Sequence, residues 1–169
     1  MKLTPALAAI AAICMACVAT PQEPAVTTTT TATPASLVTK TSVSDFASTE
    51  ARLKAALEKR GLSLFAVVDH GAGAEKAGLE LGASKLYIFG NPKAGTLLMQ
   101  ANPQMGLELP LKALVYEEGG EVKVSVSDIR AITSARGVTE PAQVITNVGN
   151  ALSGILTETA TPVPDSKAN

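Results

Sequence analysis

A glycine-rich turn carries the residues whose types and spacing could do chemistry. It runs from Gly90 to Thr96 and reads G-N-P-K-A-G-T. Its glycine spacing matches that of a phosphate-binding loop, but Thr96 stands where such a loop needs its lysine. Backbone N–H groups of a glycine-rich turn at a helix start can still bind a small anion. The alternative is a turn whose glycines and proline serve backbone geometry alone.

In a ligand site at this turn, each side chain would have a separate role. Asn91 would supply a directional hydrogen bond, Lys93 a positive charge and Thr96 a hydroxyl group. Gly95, as part of the same glycine-rich turn, belongs to the same candidate site. The ligand expected from these groups is a small anionic or polar molecule.

Asp69 and His70 form a second polar pair, at the end of an apolar run. Neighbours in an extended segment point to opposite faces, so the two side chains form a dyad only where the strand has already ended. His70 could titrate near neutral pH and contact a ligand. Both residues would join the Asn91–Thr96 turn if the two strand ends were neighbours in the sheet. A histidine that only caps a helix or contacts backbone is the simpler alternative.

Composition excludes several kinds of site. Cys14 and Cys17 are the only cysteines and His70 is the only histidine, so a Cys-based zinc site, a disulfide framework and a His-rich metal centre are not expected in the folded part. We predict no metal and no cofactor. The formal net charge of -1 gives no basic footprint, so we expect no nucleic-acid partner.

The first nineteen residues, 1–19, resemble a secretory signal peptide. Lys2 precedes an apolar run from Leu7 to Met15, and small residues follow. Cleavage after Ala19 is one alternative. The other is a lipoprotein signal in which Cys17 becomes the lipidated first residue, and a third is an apolar helix that is retained. We expect export to the periplasm or cell envelope, with membrane contact only through such an N-terminal lipid anchor.

The rest of the chain divides by composition into a linker, one domain and a tail. Residues 20–35 are rich in Thr and Pro and read as a linker, because they cannot bury enough apolar surface to fold. Residues 36–160 are predicted to form a single domain. Residues 161–169 are predicted to form a disordered tail.

Hydrophobic periodicity predicts alternating strands and helices within that domain. The Leu62–Val68 run, nearly all apolar, predicts a buried strand. Residues 129–137 give a mixed pattern. The other predicted elements are a strand at Leu37–Val43, a helix capped by Ser44 that stops at Gly61, a helix at Gly71–Leu81, a strand at Lys85–Phe89, a short helix at Leu97–Gln100, a hairpin of Leu107–Tyr116 with Glu121–Ser127, and a helix with Pro141 in its first turn.

Three segments resemble a known family. They are Asp69–His70 with the Ala/Gly-rich stretch after it, the F-G-N-P-K-x-G-T motif at Phe89–Thr96, and Leu109–Val115. Over about residues 39–156 the sequence resembles the domain of unknown function 302 family. The resemblance implies an α+β fold, with a small antiparallel sheet and helices packed on one face, similar to the TATA-box-binding-protein-like topology class. It implies neither an activity nor DNA binding, because function lies in sites rather than folds.

These features lead to one functional hypothesis and two alternatives. The hypothesis is an exported α+β domain that binds a small ligand or a partner without catalysis. The first alternative is a structural or assembly domain of the cell envelope that forms a homodimer through an exposed sheet edge or its last helix. The second is a small hydrolase or isomerase that uses His70 or Asp69 as a base.

Overall fold

A computed structural model describes residues 37–161 of the chain. The predicted signal peptide, the candidate lipidation site Cys17, the linker at 20–35 and all of the predicted tail after Thr161 lie outside these residues. The elements in chain order are β1 (Leu37–Thr41), α1 (Phe46–Glu58), β2 (Ser63–Asp69), α2 (His70–Lys76), β3 (Ser84–Gly90), α3 (Pro92–Ala101), a 3-10 helix (Pro103–Leu107), β4 (Leu111–Glu118), β5 (Glu121–Ser127), α4 (Ile129–Ala135) and α5 (Ala142–Ala160).

The five strands form one antiparallel sheet in the order β1-β5-β4-β3-β2. Strands β3, β4 and β5 lie inside it, while β1 and β2 form its two edges. The predicted α+β fold with a small antiparallel sheet is confirmed. No helix between residues 37 and 161 combines the length and the hydropathy needed to cross a membrane.

One face of the sheet carries the core. Tyr87 and Phe89 of β3 are fully buried, and their cross-strand neighbours Ala113 and Leu111 share that face. Strand side chains alternate between faces, so this pattern marks the face against which α1 and α5 pack. The helices contribute buried apolar residues to the same cluster, namely Leu53, Leu57, Leu152, Ile155 and Leu156.

The prediction that β2 is a buried strand is wrong. All seven residues of Ser63–Asp69 are exposed. The strand lies at the end of the sheet and has a neighbour, β3, on only one side among the described residues. A continuous apolar run fits a strand covered on both faces, but it does not reveal whether the strand is central or at an edge.

Several predicted boundaries also change. Helix α3 begins at Pro92 rather than at Leu97, because Asn91 caps it and proline is favoured in a first helical turn. Helix α2 ends at Lys76 rather than at Leu81. Asp45, not Ser44, caps α1 by accepting a hydrogen bond from the Ser48 N–H at 2.8 Å.

The remaining differences lie in the second half of the chain and at the first strand. Leu107 closes a 3-10 helix, so the first arm of the hairpin starts at Leu111. Residues 129–137, whose apolar pattern is mixed, contain helix α4, and Asp128 caps that helix. Pro141 precedes α5 as its cap residue instead of lying within its first turn. Strand β1 ends at Thr41, two residues earlier than predicted.

Candidate functional site

An apolar cavity of about 400 Å³ lies beside the G-N-P-K-A-G-T turn. Its walls come from the start of α3, the middle of α5, the segment before β4, and the neighbouring ends of β2 and β3. Only two of its lining residues, Asn91 and Thr96, have polar side chains. The others are Leu62, Phe65, Phe89, Gly90, Pro92, Ala94, Gly95, Leu98, Met99, Leu109, Pro110, Leu111, Val148, Ala151, Leu152 and Ile155.

Small residues on facing walls leave this space open. Gly90 ends β3, and a Cβ atom placed there would lie 3.7 Å from the Phe65 ring. A Cβ atom at Gly95 would lie 3.7 Å from Leu109 Cδ1. Ala151 faces the cavity from α5. Larger side chains at these positions would project into the cavity, so its volume depends on the small residues.

Asn91 fixes the start of α3. Its Oδ1 accepts hydrogen bonds from the backbone N–H of Lys93 at 2.9 Å and of Ala94 at 3.3 Å. The carboxamide oxygen is therefore already engaged in a helix cap. Of the residues predicted at this turn, Asn91, Gly95 and Thr96 line the cavity, whereas Lys93 is exposed and does not.

Asp69 and His70 lie at the other end of the sheet from this cavity. Strands β2 and β3 run antiparallel, with Ser63 opposite Gly90 and Asp69 opposite Lys85. Six residue steps of about 3.4 Å separate the two ends, or about 20 Å. The two strand ends are not neighbours, so the structure does not bring Asp69 and His70 together with the Asn91–Thr96 turn.

Asp69 and His70 also differ from each other in role. The Asp69 carboxylate caps α2 by accepting a hydrogen bond from the Ala72 N–H at 2.9 Å. His70 is the first residue of α2 and is exposed. It lines neither the apolar cavity nor the second, more open depression, which Asp69 does line.

That second depression borders a charged cluster between α1 and β3. Lys85 Nζ lies 3.3 Å from Glu50 Oε2 and 3.8 Å from Asp69 Oδ2. The same ammonium group lies 5.7 Å from the centre of the Phe46 ring. The cations and carboxylates are mutually paired, so the cluster ties α1 to the sheet.

The charged cluster shifts two pKa values. Burial raises the pKa of the Tyr87 phenol above its ordinary value, and the nearby Glu50 carboxylate raises it further. The Tyr87 hydroxyl is buried and has no hydrogen bond of ordinary geometry within the described part of the chain. Burial also raises the pKa of Glu50, but its polar neighbours outweigh burial and hold that pKa at about 2.

Between residues 37 and 161, no three His, Cys, Asp or Glu side chains lie close enough together to hold a metal ion.

The sequence did not predict two parts of the cavity lining, the wall formed by α5 and the side chain of Phe65. A signal for the wall was present, since Ala151 interrupts the apolar stripe of α5 with a small residue next to Leu152.

The sequence matches one protein family over residues 38–159, the family described as domain of unknown function DUF302. The chain belongs to the DUF302 family. The predicted resemblance to this family over about residues 39–156 is therefore confirmed. A solved DUF302 structure agrees in fold: the crystal structure of an uncharacterized conserved protein from Bacillus stearothermophilus is similar with a TM-score of 0.67 and 18% identity. The match covers 73% of this chain and 97% of that one.

Two curated relatives share a part of their sequence with this DUF302 chain. Both are named fluoride-specific ion channel FluC 1, one from Brucella suis and one from Brucella abortus, and both are 46% identical over 95 residues. The match covers 56% of this chain but 37% and 35% of the two relatives. The chain thus corresponds to little more than a third of those proteins.

Proposed function

We propose that this DUF302 domain is an exported binding module that holds a small apolar molecule without catalysing a reaction. The observation that carries the proposal is the apolar cavity of about 400 Å³ beside the glycine-rich turn. Ligand sites in proteins are concave, mostly apolar and about 300–1,000 Å³ in volume. The cavity meets each of these criteria.

The lining indicates the chemical class of the ligand. Leucine, phenylalanine, valine and alanine side chains suit a short aliphatic chain or a ring, because apolar contact contributes about 25 cal/mol for each Å² removed from water. Thr96 is one of two polar side chains in the lining, and its hydroxyl can orient a polar end group. An apolar molecule fits this lining better than the anionic or polar ligand expected from the sequence.

The lining also supports binding without catalysis. It contains no Asp, Glu, His, Lys, Cys or Tyr, so no side chain in it can act as a general acid or base at neutral pH. Asp69 and His70, the candidate bases, lie at the far end of the β2–β3 ladder. The cavity that carries the proposal therefore lies apart from both candidate bases, and Asp69 borders the second, more open depression instead.

Two parts of the proposal rest on other observations. Export rests on the resemblance of residues 1–19 to a signal peptide. The name of the Brucella relatives belongs to whole proteins of which this chain matches 35–37%, so we do not extend channel activity to the domain.

A cavity-filling variant tests the proposal. The full chain would be titrated with Nile red, a neutral apolar dye that fluoresces when it leaves water. Ala151→Leu adds three carbons to the cavity wall, and Ser153→Leu adds a leucine to the exposed side of the same helix. We expect saturable binding to the wild type and Ser153→Leu, and at least about tenfold weaker binding to Ala151→Leu, a cost of about 1.4 kcal/mol. Equal binding to all three proteins would refute the site.

A further inference from the structure

We propose that the ligand of the apolar cavity is an uncharged, single-chain amphiphile, held with its chain on the cavity floor and its polar end against the Thr96 hydroxyl. A long-chain alcohol is the simplest molecule of this class. The inference rests on the proposed function and deepens it by naming the kind of ligand. Three features carry it: the distribution of polar side chains over the lining, the hydrogen bonds already made at the start of α3, and the chemistry of Thr96.

Burial divides the cavity lining into an apolar floor and a polar mouth. The floor consists of side chains that are no more than 4% exposed, namely Phe89, Leu98, Leu152 and Ile155. The two polar side chains of the lining, Asn91 and Thr96, are both exposed and therefore lie at the mouth. A molecule that fills this space has to be apolar at the end that reaches the floor, and it can be polar only at the other end.

The start of α3 has no backbone donor left for an anion. Pro92 has no N–H group. The N–H groups of Lys93 and Ala94 donate to Asn91 Oδ1. The next N–H group, that of Gly95, donates to the Asn91 carbonyl oxygen at 3.0 Å. A helix start binds an anion through N–H groups that lack a partner, and here Asn91 occupies them.

No charged side chain of the described residues lines the cavity. Lys93, the charged residue of the glycine-rich turn, is exposed and lies outside the lining. An ionised group that leaves water without a partner costs far more free energy than a hydroxyl group does. A charged end group would therefore remain in water and hold its chain away from the floor. An uncharged end group has a smaller cost, because one hydrogen bond largely offsets it.

Thr96 is the lining residue best suited to hold an uncharged end group. Its hydroxyl both donates and accepts hydrogen bonds, so it can pair with an alcohol or a neutral carbonyl. Asn91 is less suited, because its carboxamide oxygen already accepts two hydrogen bonds. Threonine is a weak helix former, yet Thr96 occupies the middle of α3 on the wall of the cavity. Helix formation alone would favour alanine or leucine at this position.

Ligands of equal chain length test the end group. The full chain, Thr96→Val and Thr146→Val would be titrated with 1-octanol, 1-chlorooctane and octanoate at pH 8, with displacement of Nile red as the readout. Valine has the shape of threonine without its hydroxyl. Thr146 is an exposed residue of α5 outside the lining, so its valine variant is the control. Circular dichroism would verify that each variant is folded.

The expected results concern charge and hydrogen bonding separately. The wild type should bind 1-octanol at least about tenfold more tightly than octanoate, since octanoate is ionised at pH 8. Thr96→Val should lower the ratio of the affinity for 1-octanol to that for 1-chlorooctane about fivefold, which corresponds to one hydrogen bond of about 1 kcal/mol. Thr146→Val should keep the wild-type ratio.

Two results would overturn the inference while leaving the cavity as a binding site. One is octanoate binding as tight as that of 1-octanol, and the other is an unchanged affinity ratio in Thr96→Val. Failure of Nile red to bind the wild type saturably, or of both neutral octyl compounds to displace it, would instead refute the cavity site and this inference with it.

Discussion

Lys85 Nζ of strand β3 lies 3.3 Å from Glu50 Oε2 of helix α1. The other carboxylate oxygen, Oε1, accepts a hydrogen bond from Lys54 Nζ at 2.8 Å. The Glu50 side chain is 16% exposed, so both interactions take place largely out of water. Burial by itself would raise the pKa of Glu50, yet its charged neighbours, Lys54 foremost and then Lys85, lower it from 4.5 to about 2.

The pKa of Glu50 predicts a loss of stability in acid. A carboxyl whose pKa is lower in the folded state stabilises the fold above its unfolded pKa, near 4.5, and loses that contribution as the pH falls towards 2. We expect about 2 kcal/mol from this group, allowing for partial solvent screening. Urea unfolding of Glu50→Gln should therefore show a deficit of that size at pH 7 that nearly vanishes at pH 2. An equal deficit at both pH values would contradict the pairing.

Leu98 and Leu97 are adjacent in α3 but differ in burial, with exposed fractions of 1% and 36%. Leu98 lines the cavity, and replacing it by alanine enlarges an existing space as well as removing apolar contacts. We expect Leu98→Ala to lower the free energy of unfolding by about 2–5 kcal/mol. Leu97→Ala, the matched control, should cost less than about 1 kcal/mol. Urea unfolding of the two variants measures the difference. Similar losses of stability would contradict the burial of Leu98 and the exposure of Leu97.

Asn91 is expected to serve the helix rather than the ligand. Its Oδ1 holds two backbone N–H groups at the start of α3, so Asn91→Ala should cost about 1 kcal/mol of stability. Lys93 does not line the cavity. The double variant Asn91→Ala with Lys93→Ala should therefore still bind Nile red within about threefold of wild type, or about 0.7 kcal/mol. Loss of dye binding in a folded double variant would instead favour the polar site predicted from the sequence.

Substitutions at Asp69 and at His70 should differ in their effect on the stability of the fold. Asp69→Ala removes the side chain that caps α2 through the Ala72 N–H, and we expect a cost of about 1 kcal/mol. His70→Ala changes an exposed residue and should alter stability by less than about 0.5 kcal/mol. Thermal unfolding at pH 7 compares the two variants. A larger loss of stability for His70→Ala than for Asp69→Ala would contradict both expectations.

Local sequence signals predicted much of this fold. The apolar patterns of β3 and β5 and the apolar stripe of α5 follow the periods of strand and helix, and these elements lie close to their predicted positions. Strand β4 starts four residues later than predicted. The F-G-N-P-K-x-G-T motif led to the DUF302 family, which the family comparison confirms. The predicted start of a helix was wrong where a side-chain cap determines its first residue, as Asn91 does for α3 at Pro92.

The candidate site could not be predicted in the same way, because it depends on long-range pairing. Asp69 ends β2 and Asn91 follows β3, but antiparallel pairing of the two strands places these residues at opposite ends of the sheet. The edge position of β2 is likewise a property of the whole sheet. The cavity needs α5, some fifty residues further along the chain, to approach α3. No local pattern encodes that approach.

The most direct test of the binding account locates an apolar probe on the protein. Amide signals of the full chain would be followed by NMR during titration with 1-decanol, with Ala151→Leu as the comparison. We predict saturable shifts at Gly90, Gly95 and Ala151 in the wild type, with little change at His70, and none of these shifts in Ala151→Leu. An absence of saturable shifts in the wild type, or shifts centred on α2, would contradict the account.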